Sequence, residues 1–478
     1  MLFFATLSQL FFNMRNLNNH YITMSENIQE TSLGGLIRRY VSASGMLIGA
    51  TVLALVFANL PSTAEGYARF WMQPVSLSIG PFNVFSHAGH AMTLMDFIND
   101  FLMFFFFLSV GLEIKREILC GELSSRQKAL LPIIGACGGM LMPVIVFYAV
   151  CFGHPLMERG CAIPMATDIA FSLGVLSMFG KRVPVGLKIF LAALAVADDL
   201  GGIIVIALFY SQGLNWLYLL GAVIVAVIIL IGNWREIRVK SFYFGLGLVL
   251  WFMVLNSGIH ATIAGVVLAF CIPANLGKGT RYYLQRILNV IHHYPDIEND
   301  DIADQRRAMV LAKEDIQMLR RIEKASDYLI SPLQDIEDQL AIPINYLIIP
   351  LFAFANAGVN FEGMSIMSIF HGVALGVFLG LLIGKFLGVL SFSWLSIKLK
   401  ICQMPEGANW HSFASVCMIC GIGFTVSMFI AALSYPTNLG MEGTAMLNEA
   451  KLGILCGTIA SALVGSFMLN KTLPKATE

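Results

Sequence analysis

Two aspartates stand side by side in LAALAVADDLGGIIVIALFY, at positions 198 and 199, inside a stretch otherwise apolar enough to cross a bilayer. Asp168 interrupts a second apolar stretch, CAIPMATDIAFSLG, just after Thr167, and Lys385 interrupts a third, GLLIGKFLG. Ionisable groups at such depth are costly and usually face a protein-lined cavity, so each is a candidate for moving ions or protons. Successive helical residues differ by about 100°, so Asp198 and Asp199 cannot share one helix face. One can face a cavity while the other takes a partner on a neighbouring helix. A hard cation held by carboxylate and backbone oxygens would compete with protons for such a pair. A purely structural role, with Lys385 neutralising the aspartates, is the alternative.

The elements that position these residues are read from composition. Of 478 residues, 57% are hydrophobic and only 13% charged, with a mean hydropathy of +0.75. That charged fraction is about half the roughly 25% of soluble domains, so lipid must be the solvent for most of the chain. The 30 basic and 30 acidic residues balance, which argues against nucleic-acid binding as the main role. Nine cysteines scattered through apolar stretches suggest neither a disulfide framework nor a zinc site.

Twelve apolar spans are expected, near 35–60, 95–114, 129–152, 161–179, 184–211, 214–233, 241–255, 257–273, 341–358, 372–397, 411–434 and 447–470. The seventh and eighth are short enough to be read as one broken segment. Basic residues cluster on the even-numbered connections: Lys115, Arg116, Arg126, Lys128, Lys181, Arg182, Lys188, Arg235, Arg238, Lys240, Lys398 and Lys400. The odd-numbered side carries Arg69, Arg159 and Lys451. By the positive-inside rule both termini and the even connections are cytoplasmic.

The chain thus divides into a leader at 1–33, spans one to eight at 34–274, a charged insertion at 275–340, spans nine to twelve at 341–470, and a tail at 471–478. The insertion holds nine basic and 12 acidic residues, and its helix-like spacing of Met309, Ile316, Leu319 and Ile322 suggests a solvated helical hairpin. The leader has a phenylalanine-rich stretch but no basic region or cleavage-like site, and Met24 is the expected translation start.

Two spans look broken. Pro164 and the Thr167–Asp168 pair interrupt the fourth; Gly421 and Gly423, in CGIGFTVSMFI, interrupt the eleventh. Breaks at corresponding places in two halves point to a transporter site between inverted repeats, here spans three to five and ten to twelve. An unwound span leaves helix ends facing each other in mid-membrane. Asp168 could compensate the positive ends and Lys385 the negative ones. Taken alone, Gly421 and Gly423 could equally permit close helix packing.

These residues lie in long segments, GLEIKREIL (111–119), PMATDIAFSLGVLSMFG (164–180), LAVADDLGGIIVIALFY (194–210), SGIHATIAGV (257–266), LFAFANAGV (351–359), GLLIGKFLG (380–388) and CGIGFTVSMFIA (420–431). In order, from about 34 to 470, they closely resemble bacterial NhaA-type sodium/proton antiporters. That family is itself an example of the broken-helix rule, so the pattern and the resemblance are not independent.

The resemblance implies an all-α membrane protein of twelve transmembrane helices in a bacterial inner membrane, with helices four and eleven broken and crossed. It implies exchange of cytoplasmic sodium or lithium for more than one external proton, driven by membrane potential and activated at alkaline pH, without a cofactor or enzymatic step. Asp198 and Asp199 would form the cation and proton site, with Thr167 and Asp168 at the helix-four break and Lys385 paired to Asp198. Asp100 matches a second-helix carboxylate. Glu113, Arg116, Glu117 and Glu337 match a cytoplasmic cluster associated with pH response. His260 matches a family histidine read as a packing or hydrogen-bonding residue. A homodimer is a further expectation from the family. Two departures touch the pH-sensing face: the long insertion, and Gln334 and Asp335 where basic residues are expected.

Three other classes fit less well. An intramembrane aspartyl protease needs carboxylates on two facing helices sharing a water, which adjacent Asp198 and Asp199 cannot provide. A sodium-coupled organic-solute carrier needs a polar or aromatic substrate pocket, and no residues mark one. A channel would need a ring of filter carbonyls, and no segment suggests it.

Overall fold

The computed structural model describes residues 43–275 and 329–473, apart from 77, 80–81, 84, 88–89, 211–212, 362–368 and 437–438, together with scattered positions between 276 and 328. The leader, the candidate start at Met24 and most of the charged insertion lie outside the described residues. Among the described residues, leaving aside the short helix Ala64–Trp71 and single turns, twelve helical segments follow one another in chain order. We label them α1 (Ala43–Asn59), α2 (Leu94–Leu119), α3 (Arg126–Cys151), α4 (Pro155–Met165 and Ile169–Ser177), α5 (Val185–Phe209) and α6 (Trp216–Trp234). The remainder are α7 (Lys240–Ser257), α8 (Thr262–Cys271), α9 (Pro332–Asn356), α10 (Gly372–Lys398), α11 (Trp410–Ile419 and Phe424–Ser434) and α12 (Gly440–Thr472).

Eight of these are long and apolar enough to span unaided; α4 and α11 are bent pairs, at 45° and 43°. Segment α1 is followed, at a bend of 114°, by the short helix Ala64–Trp71. The eighth segment has only ten residues. Its missing length is taken up by Ser257–Ala261, where Gly258 adopts the left-handed conformation (φ 87°) that ends α7. Its far end is held by Lys115, whose ammonium donates to Phe270 O (2.8 Å) and to Ile272 O.

Three further differences from the sequence expectation have local causes. Segment α9 begins at Pro332 rather than near 341, because Ser331 caps it by accepting from Gln334 N at 3.2 Å, and proline is tolerated in the first turn. Its first two turns therefore belong to the span and not to the insertion. Lys451, read as an outer connection residue, is buried within α12, which starts at Gly440 rather than 447. The connection from Pro74 to Thr93 forms short antiparallel pairings, Pro74–Val75 with Met92–Thr93, Ser78–Ile79 with Phe82–Asn83, and Ser86–His87 with His90–Ala91. Polar and apolar residues alternate over 75–79, which is the local signal for strand.

The buried apolar residues fall into three groups. One joins α2 to α6, α7 and α8 through Leu108, Leu112, Ile229, Trp251 and Leu268. A second joins α3 and α5 to the first half of α11 through Leu131, Leu187, Leu191 and Phe413. The third lies between them and includes Phe107, Ile203, Ile206, Phe352 and Phe429. The outer face of α6 is apolar and exposed at Leu217, Leu220, Ile224 and Val227, with Trp216 and Trp234 exposed at its two ends. Its 19 residues span about 28 Å, the thickness of a bilayer core, with a tryptophan at each interface.

Segments α3 and α10 meet backbone to backbone. A Cβ at Gly138 would run into the Gly388 carbonyl and the Phe392 ring, and one at Gly388 into the Gly138 carbonyl. Gly138→Ala should therefore cost about 1–3 kcal/mol by overpacking. It should lower the midpoint of thermal unfolding in detergent, and an unchanged midpoint would contradict this contact.

Candidate transport site

The two broken segments cross at their breaks. Asp168 N donates to Ile422 O at 2.7 Å, and the Thr167 hydroxyl lies 3.0 Å from Cys420 O. Glycine is required where the chains touch. A Cβ at Gly421 would sit 2.5 Å from Leu381 O, and one at Gly423 would sit 2.8 Å from Ala166 O. Gly423 thus permits close approach to α4 at the break, whereas Gly421 permits packing of the break against α10 and α12.

Four helix ends meet there, and each has a partner. The Asp168 carboxylate caps the second half of α4, accepting from Phe171 N at 2.9 Å. Its other oxygen accepts from Thr425 N (3.1 Å) and Thr425 Oγ1 (2.7 Å), in the first turn of the second half of α11. One carboxylate therefore serves two positive helix ends. Lys385 Nζ donates to Met165 O, at the negative end of the first half of α4. Thr167 Oγ1 reaches Cys420 O, just past the negative end of the first half of α11.

Lys385 Nζ also donates to Asp198 Oδ2 at 2.6 Å, and both side chains are fully buried. Thr167 Oγ1 stands 2.8 Å from the same oxygen, and its single proton serves Asp198 or Cys420 at any moment. Among the described residues, Asp198 Oδ1 and Asp199 Oδ1 are buried without a hydrogen-bond partner. A buried oxygen of this kind normally has a partner, and these two are carboxylate oxygens, which carry the greater desolvation cost.

The remaining predicted residues form two separate groups. Arg116 Nε lies 3.1 Å from Glu337 Oε1 and its Nη2 lies 3.5 Å from Glu117 Oε1, joining α2 to the start of α9. Glu113 lies one turn further into α2. Asp335, found where a basic residue was expected, pairs at 2.5 Å with Lys240 at the start of α7. At the opposite end of α2, Asp100 Oδ1 is 3.5 Å from His260 Nε2, and His260 Nδ1 is 2.9 Å from Thr262 Oγ1. Sequence reasoning passed over Thr425, although its position two residues after Gly423 places it in the first turn of a restarted helix.

The sequence profile described as Na+/H+ antiporter 1 matches residues 35–469. The chain belongs to the NhaA-type Na+/H+ antiporter family. Relatives called Na(+)/H(+) antiporter NhaA include one from Bacteroides fragilis, 48% identical over 435 residues, which covers 91% of this chain and 96% of that protein. One from Phocaeicola vulgatus is 48% identical over 444 residues, covering 91% and 95%. One from Shewanella loihica is 40% identical over 439 residues, covering 91% and 96%. As a member of this antiporter family the chain is an all-α, multi-pass membrane protein and a transporter rather than an enzyme.

Removing one partner of a buried ion pair leaves an uncompensated charge, at a cost of about 3–5 kcal/mol. Lys385→Ala should therefore destabilise the protein, and by less in acid, where a proton on Asp198 removes the stranded charge. Thermal unfolding at mildly acidic and alkaline pH checks this. A deficit that is absent, or that grows in acid, would contradict the pairing.

Proposed function

We propose that this chain extrudes cytoplasmic sodium or lithium in exchange for external protons, with Asp198 and Asp199 as the shared site. The observation that carries this reading is the pair of adjacent buried carboxylates, each with one unpartnered oxygen, beside a crossing of broken helices. Sodium approaching from the cytoplasm needs oxygen ligands to replace its water, and the two carboxylates with the Thr167 hydroxyl supply side-chain oxygens beside the break.

In the proposed cycle, cytoplasmic alkalinity strips protons from the pair and sodium takes their place. Neutralising the two carboxylates with a cation loosens Asp198 from Lys385, and the crossed helices with their bundle shift so that the site opens outward. External protons then displace sodium. With more than one proton moving in for each sodium moving out, net positive charge enters per cycle, so membrane potential drives export. The second proton rides on Asp198 or on Lys385. Arg116, Glu117, Glu337 and Glu113, at the cytoplasmic mouth, are the proposed pH-responsive group, with Asp335–Lys240 as this chain's own addition to it.

The basic even-numbered connections support cytoplasmic termini, and the family supports a bacterial inner membrane and a role in sodium and pH homeostasis. Segment α5 then runs outward from Val185 to Phe209, and the second half of α11 runs outward from Phe424 to Ser434.

Everted membrane vesicles holding a preformed pH gradient test the reading. Adding sodium should dissipate the gradient in the native protein, and Asp199→Asn should abolish the response. Dissipation undiminished in Asp199→Asn would sink the site, and no response of the native protein from neutral to alkaline pH would sink the exchange itself.

A further inference from the structure

Beyond the aspartates α5 continues in buried apolar residues, and the same apolar group holds a cluster of rings. Ile203 and Ile206 lie one and two turns beyond Asp199 on α5, buried in the same group as Phe107 of α2, Phe352 of α9 and Phe429 of α11. Phe429 is completely buried. Its ring centroid lies 5.4 Å from that of Phe107, 6.4 Å from that of Phe352, and 5.2 Å from the His260 ring, which meets it edge to face. His260 is held on both sides, by Thr262 and by Asp100. Phe429 therefore packs directly on the Asp100–His260 pair, and it lies one turn beyond Thr425, which holds Asp168 at the break.

Its three ring partners share a second property: they come from α2, α9 and the turn before α8, whereas Phe429 projects from the crossed-helix bundle. Phe429 also follows Thr425 by four residues, so the two share a face of one short rigid half-helix. Thr425 holds Asp168 at the break. Any displacement of the break is thus delivered directly to the Phe429 ring.

We propose that Phe429 is the outer seal of the transport site, an aromatic plug that must leave its Phe107–His260–Phe352 seat before a cation can pass outward. A desolvated sodium ion meets no oxygen ligand among these rings, and burying an uncompensated charge costs several kcal/mol. This inference rests on the antiport reading and its membrane orientation, but adds a gating role separate from ion binding. An aromatic that merely fills the core would seal nothing and would not need to move.

The double variant Phe107→Cys/Phe429→Cys, treated in proteoliposomes with a short bis-methanethiosulfonate, tests the need for movement; each single variant is the control for native cysteines. Because Phe429→Cys already removes the ring, the readout is radioactive sodium movement, coupled or leaking, which cross-linking should slow about tenfold or more, with full recovery on reduction. Reduction reverses the effect only in folded protein, so a misfolded variant cannot mimic it. In parallel, Phe429→Ala should pass radioactive sodium without matching proton movement, whereas Phe429→Leu should stay coupled. Sodium movement undiminished by cross-linking, failure of the pair to cross-link, or tight coupling in Phe429→Ala would each overturn the seal. If the native protein exchanged nothing, the antiport reading would fall instead, and the sodium leak of Phe429→Ala would still decide the seal.

Discussion

A helix that stops inside a bilayer leaves backbone N–H and C=O groups where hydrocarbon offers them nothing. Segments α4 and α11 both stop there, and most of the site is the answer to that constraint. Asp168 takes the donors of two restarted helices, Lys385 takes the Met165 carbonyl, and Thr167 reaches the Cys420 carbonyl. Solving the problem with charged side chains imports a carboxylate and an ammonium to mid-membrane. Each must then be balanced in turn.

That balance links structure to transport. Lys385 is shared between a helix end and Asp198, so whatever occupies the aspartates alters how strongly Lys385 holds the first half of α4. Asp168 is likewise shared between α4 and α11. A change of one unit of charge at Asp198 and Asp199 is therefore felt at the crossing, and the second half of α11 links the crossing to where Phe429 packs against α2, α9 and the turn before α8. Gly423 lets α11 approach α4 closely at the crossing, and Gly421 lets it approach α10.

Much of this was legible in the sequence, because lipid imposes strong rules on it. Apolar length and the placement of basic residues marked twelve spans, and Pro164, Gly421 and Gly423 marked the two breaks. The pairing of Lys385 with Asp198 was implied by the resemblance and is met in the geometry. What escaped was decided by local detail or by distant packing. The start of α9 at Pro332 turned on a serine cap inside a charged stretch, and the brevity of α8 on one left-handed glycine. Lys451 looked like a connection residue because a lone lysine near a span end usually is. Phe429 carries no sign in isolation, and Thr425 only its place in the turn after Gly423. Their parts appear only when Asp168 and the ring partners, far away in sequence, are brought alongside.

The central claim is that sodium and protons occupy the same two carboxylates in turn. Titrating purified protein with sodium in weakly buffered detergent solution, and counting the protons released, tests it most directly. Shared occupancy predicts that sodium binding expels protons, more of them as the starting pH falls toward neutrality, and that Asp198→Asn or Asp199→Asn removes the release. Sodium binding without any proton release, at a pH where the native protein exchanges, would contradict it.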